Sequence, residues 1–119
     1  MLLEDIFSLA RHARYAALKG KLEVDRNLVF LEDHKGNTIL LVAAQNGLRK
    51  IAKLALKAGA DANHKNHQGN TALHFSHLYQ NHADLGPLLR QWGADETLTN
   101  AAGQTCHEMD LGLYNDEGE

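Results

Sequence analysis

One six-residue phrase recurs at a fixed step, and it limits the possible folds more than any other feature. "GNTILL" occupies Gly36–Leu41, "GNTALH" Gly69–His74 and "GQTCHE" Gly103–Glu108. The glycines are separated by 33 and then 34 residues, and Thr38, Thr71 and Thr105 keep the same steps. A second phrase lies between them in the same register: "KAGADAN" at Lys57–Asn63 and "QWGADET" at Gln91–Thr97. Two phrases sharing one period imply stacked units, none of which can bury its apolar face alone.

Local signals outline one unit. Thr38 stands before the apolar run 39–44, where its hydroxyl would cap a helix, and Gly47 would stop that helix in a left-handed conformation. In the next segment Leu48, Ile51, Ala52, Ala55 and Ala58 share one helical face, with Arg49, Lys50, Lys53 and Lys57 opposite. That basic stripe reads as a solvated outer face, and with a net charge of -3 the chain offers nothing that favours nucleic acid. After Gly59 comes the polar stretch "ADANHKNHQGN", a long loop leading to the next Thr. Each unit is therefore read as turn, short helix, tight turn, longer helix and projecting loop. In unit two Asn81 is read as the left-handed substitute for the missing glycine. Because proline disrupts a helix interior, the helix containing Pro87 is read as starting late, near Asp84.

These phrases resemble the ankyrin repeat. The matching residues in unit one are Asp33, Gly36, Thr38, Leu40, Ala43, Ala44, Gly47, Ile51, Leu54, Leu56, Gly59, Ala60, Asp61 and Asn63. In unit two they are Gly69, Thr71, Leu73, His74, Leu85, Leu88, Leu89, Gly93, Ala94 and Asp95. The proline that the family places after the Thr is absent throughout: Ile39, Ala72 and Cys106 stand there. The resemblance implies an all-α solenoid of antiparallel helix pairs with β-hairpin loops, about three to three and a half repeats long, in a single domain. Its expected divisions are a degenerate N-terminal unit 1–32 with Ala10 aligned to Ala44, repeats 33–65 and 66–99, a partial C-terminal unit 100–113 and an acidic tail 114–119.

The resemblance also gives His74 a structural task, bonding the Thr71 hydroxyl and nearby backbone. Leu41 and Glu108 replace it in the sister units, which is unlike a catalyst, and Thr105 with Glu108 forms the pattern of a capping box. No enzyme motif is present: Cys106 and His107 open a helix about 100° apart and make a poor nucleophile–base pair. The single cysteine excludes an internal disulfide. Of the eight histidines, His64 and His67 are the nearest to a metal-ligand pair, with His77 and His82 placed elsewhere on the unit, and no metal or other cofactor is expected.

What remains is a non-catalytic module for a protein or peptide partner, using the strip formed by the loop tips and first helices. The register assigns that strip His34, Lys35, Asn37, Gln45, Asn46, His67, Gln68, Asn70, Leu78, Tyr79, Ala101, Ala102 and Gln104, with Tyr79 as anchor. Trp92 is read as packing. The alternative is an architectural or regulatory segment that packs on a neighbouring domain or self-associates through its C-terminal end; a histidine-based metal-binding protein ranks below both. No apolar run is long enough for a membrane span and "MLLEDIFSL" lacks the basic start of a signal peptide, so a cytoplasmic or nuclear, monomeric protein is expected.

Overall fold

The computed structural model describes residues 5–112. The acidic tail 114–119 and Leu113, the last residue of the C-terminal unit, lie outside them. Seven α-helices follow in order among the described residues: α1 Ile6–Arg11, α2 Tyr15–Val24, α3 Ile39–Gln45, α4 Arg49–Lys57, α5 Ala72–Leu78, α6 His82–Gln91 and α7 Cys106–Gly112. A 3-10 turn, Arg26–Phe30, follows α2. The first helices α1, α3, α5 and α7 pack side by side, and the second helices α2, α4 and α6 form a looser row behind them.

The α3 run is buried on every side, from Ile39 to Ala44, because α1, α4 and α5 surround it. Each second helix buries one face only: Ile51, Ala52, Ala55 and Leu56 in α4, and Leu85, Leu88 and Leu89 in α6. The lysines and Arg49 of the basic stripe are exposed, and Arg49 ties α4 to the next unit by donating to the Asp84 carbonyl at 2.8 Å. Ala10 and Ala44 are both fully buried.

The projecting loops are one structure built three times. The side-chain oxygen of Asp33 accepts from the amides of Lys35 and Asn37, both at 2.9 Å. Asn66 accepts likewise from Gln68 and Asn70, and Asn100 from Ala102 and Gln104, all at 3.0 Å. The backbone closes each loop, as in Gly36 N–H to Asp33 carbonyl and Asp33 N–H to Asn37 carbonyl, both 2.9 Å. Neighbouring loops are joined twice. His67 N–H donates to the Lys35 carbonyl at 3.0 Å and Ala101 N–H to the Gln68 carbonyl at 2.9 Å. The Asn66 amide donates to Asn37 Oδ1 and the Asn100 amide to Asn70 Oδ1, each at 2.9 Å. The expected β-hairpin is here a bonded turn with arms too short for a ladder, and no strand occurs among the described residues.

The second recurring phrase also joins units. Asn63 donates to the Gly93 carbonyl at 3.0 Å and accepts from Asp95 N–H at 2.8 Å. Asn63 and Asp95 thus belong to successive copies of the phrase.

Two local expectations are corrected. The left-handed residue of unit two is Gln80 (φ 62°), while Asn81 has φ -106° and stands at the N-cap position of α6 without a side-chain bond to it. Gln80 is 33 residues after Gly47 (φ 65°), so the register holds without adjustment. Second, α6 starts at His82, not near Asp84, and Pro87 lies inside it. Proline there deprives the exposed Ala83 carbonyl of its helical donor, and water can reach that carbonyl. Proline also crowds the Cβ of the residue before it; that residue is Gly86, which has none. The extra residue of this unit falls in the same helix, ten residues long against nine in α4.

Candidate functional site

The loop tips and the first helices enclose a groove of about 370 Å³ lined by His34, Lys35, Asn37, Gln45, Asn66, His67, Gln68, Phe75 and Tyr79. Six of the residues assigned to the strip therefore meet with their side chains accessible: His34, Lys35, Gln45, His67, Gln68 and Tyr79. Phe75 joins them unforeseen. Its ring stacks on Tyr79, centroids 6.2 Å apart and planes 22° from parallel, and it forms the apolar floor under a Tyr79 that is 51% exposed. The i, i+4 spacing on α5 carried that signal; alignment with buried Val42 hides it.

Other assigned residues have other employment. Asn37 and Asn70 are buried as acceptors of the loop-to-loop bonds; Asn37 borders the groove and Asn70 does not. Asn46 is exposed but folds back to donate to the Val42 carbonyl at 2.8 Å. Leu78 packs against the core. Ala101 and Ala102 are exposed on the last loop and Gln104 is half-buried, its Oε1 accepting from Asn100 at 3.3 Å; none of the three lines the groove.

His74 holds one unit to the next. Its Nδ1 accepts from the Thr71 amide at 3.1 Å and the Thr71 hydroxyl at 2.8 Å, which leaves the proton on Nε2 to donate to the Gln104 carbonyl at 2.8 Å. Burial lowers its basicity below the ordinary value of 6.5, as do the charges of Lys65 and His77, against the opposing effect of the Gln104 bond. Protonation would place a donor on Nδ1 facing the Thr71 N–H. The Thr71 hydroxyl contributes less to the cap, at 3.4 Å from His74 N. In the C-terminal unit Glu108 accepts from Thr105 N–H at 2.7 Å, but the Glu108 amide turns to the Thr105 carbonyl, so only half of the capping box forms.

The weak metal pair shares an acid: His64 Nε2 is 3.5 Å and His67 Nε2 4.0 Å from the Glu32 carboxylate. His64 Nε2 also donates to the Gly36 carbonyl at 2.9 Å, so that nitrogen has no lone pair for an ion. His77 and His82, placed together by the register, meet a third histidine from the last unit. The His77 ring stacks on His82 at 4.3 Å and 6°, and meets His107 edge-on at 4.8 Å. His107 is exposed, as a polar outer face requires. Burial raises the Cys106 thiol above its usual range and the Glu96 charge adds to this, which makes it a poor nucleophile. Trp92, read as packing, is 42% exposed.

Two sequence phrases, a repeated helix pair and a ladder of like loops thus agree. A family model described as ankyrin repeats matches residues 13–100 in three copies. No individual curated protein matches the chain significantly. Ankyrin repeats are generally interaction modules for other proteins and generally non-enzymatic. With most of its length covered by that match, this chain belongs to the ankyrin-repeat family.

Proposed function

We propose that the chain is a non-catalytic module that binds an extended segment of a partner protein in the groove between the first two loops, with Tyr79 and Phe75 as the apolar anchor. The observation that carries this is the stacked ring pair beneath a rim of exposed polar side chains, His34, Lys35, His67 and Gln68. Aromatic anchors inside a polar rim supply most of the binding energy in such contacts. The groove is open and shallow in chemistry as well as shape: it presents amides, imidazoles and one lysine, a set suited to peptide backbone and mixed side chains. An intracellular protein partner, and not nucleic acid or a membrane, fits the chain's charge and the absence of a membrane-crossing helix among the described residues.

The test is selection of binders from a displayed peptide library, followed by calorimetry with the wild type, Tyr79→Ser and Gln68→Ala. Tyr79→Ser should weaken selected binders by about thirtyfold or more, a loss of ~2 kcal/mol, with an unchanged circular dichroism spectrum. Binders indifferent to both substitutions would place recognition elsewhere. The second reading, self-association through the C-terminal end, draws on half-exposed Trp92 there; sedimentation of a concentrated sample as a dimer that Trp92→Gln abolishes would favour it.

A further inference from the structure

We propose that His77, Cys106 and His107 form a binding site for a borderline-soft divalent cation of the zinc type, clamping α5 to α7. One ligand-capable atom from each of the three lies within 4.8 Å of the others. A tetrahedral zinc ion holds its ligand atoms about 3.5 Å apart, given bonds of roughly 2.0 Å to nitrogen and 2.3 Å to sulfur. Closing the difference requires the ligand atoms to draw together by about 1 Å, a shift on the scale of side-chain rotation.

The donor set is selective. One thiolate with two imidazoles suits zinc or cobalt and is unsuited to magnesium or calcium, which take oxygen. The outer contacts are those of a histidine ligand held in place. With the imidazole neutral, His107 Nε2 donates to Glu96 Oε1 at 2.7 Å and the lone pair is on Nδ1. A carboxylate on the far nitrogen of a ligating histidine fixes its tautomer and raises its basicity.

Access and consequence also fit. A cleft of about 560 Å³ lined by His77, His82, Pro87, Arg90, Glu96 and His107 opens onto the site from solvent. Cys106 is buried at the first position of α7, and its thiol proton leaves when the metal binds, released to water as in other thiolate sites. His77 belongs to the second full repeat and Cys106 and His107 to the last unit, so the ion would join two units whose backbones otherwise meet through packing and loop bonds.

Cobalt(II) titration of the purified chain tests this, read by absorption. One equivalent should produce the visible bands of a four-coordinate ion together with a thiolate-to-cobalt charge-transfer band, and zinc should displace it and raise the melting temperature. Cys106→Ser should abolish the charge-transfer band. His107→Ala, at an exposed position, should weaken binding at least tenfold with the fold intact, and Glu96→Gln should weaken it about tenfold. His64→Ala and His67→Ala should leave it unchanged. The proposal is overturned if no ion binds, if the charge-transfer band is missing or survives Cys106→Ser, or if binding depends on His64 or His67.

Discussion

The loops and the helix-to-helix turns both require a left-handed residue once per unit, yet they fill the requirement differently. In the loops it is always glycine: Gly36, Gly69 and Gly103, with φ of 81°, 79° and 79°. In the turns it is Ala13, Gly47 and Gln80, with φ of 57°, 65° and 62°. Backbone conformation alone does not explain that contrast, because the left-handed region costs an ordinary residue only ~1 kcal/mol. What the Cβ would meet explains it at the first two loops, where the obstacle is backbone; at the turn glycine, Gly47, it is only the Asn81 side chain, at 2.9 Å. A Cβ on Gly69 would lie 2.6 Å from the Ala101 backbone nitrogen, and one on Gly36 would meet the His67 backbone nitrogen at 2.9 Å. Gly103 has no such neighbour within 4 Å, because no further loop stacks on it. The first two loops are where one unit's backbone rests on the next, whereas the Gly47 turn meets the next unit through a side chain.

The contrast can be broken most directly at the loops. Gly69→Ala should cost ~3 kcal/mol or more, since both the strained φ and the displaced Ala101 backbone must be accommodated. Gly103→Ala carries the φ term alone and should cost ~1 kcal/mol. Urea unfolding of the two variants measures the difference; equal losses would remove crowding from the explanation.

A smaller effect tests the loop-to-helix join at His74. His74→Leu, which installs the residue that unit one carries as Leu41, should lower stability by ~1–2 kcal/mol at pH 8, since the Thr71 amide and the Gln104 carbonyl lose their partner. The pH dependence has a definite sign. His74 is less basic when folded than its ordinary 6.5, so the unfolded chain takes up the proton first. Its contribution is complete above 6.5 and is lost as pH falls through the lower folded value. The gap between wild type and His74→Leu should therefore narrow from pH 8 to pH 5 in urea titrations; a gap that widens would contradict the neutral tautomer.

The smallest effect belongs to the turns. Gln80→Gly relieves the left-handed strain but adds freedom to the unfolded chain, for a net gain of about 0.5 kcal/mol. A loss above 1 kcal/mol would mean that Gln80 makes contacts worth more than its strain.

What the residues disclosed follows the same division. The loops were legible because the demand for Gly, Thr and an Asp or Asn repeats at fixed steps. The turn of unit two was misplaced because one non-glycine residue can bear a penalty of this size, so no glycine was there to mark it. The start of α6 was misplaced because Gly86 removes part of the clash that Pro87 would otherwise create, a relation between neighbours that a rule about proline alone overlooks. At the candidate groove, exposure of loop-tip residues was readable from register. The burial of Asn37 and Asn70 was not, because it arises from bonds between units 29 and 30 residues apart. The approach of His77 to Cys106 and His107 joins two units without any repeated motif, so spacing carried no trace of it.

The amide ladder has a polarity. Asn66 reaches backward to Asn37 and Asn100 backward to Asn70, while the first rung, Asp33, is a carboxylate with no proton to hand upstream. Burial opposes its ionisation, but the amides of Asn37 and Lys35 outweigh that and keep it charged. A designer wishing to lengthen this array could graft additional modules after Asn100, where each newcomer would bring its own reaching amide; insertion ahead of Asp33 would require that acid to become Asn first.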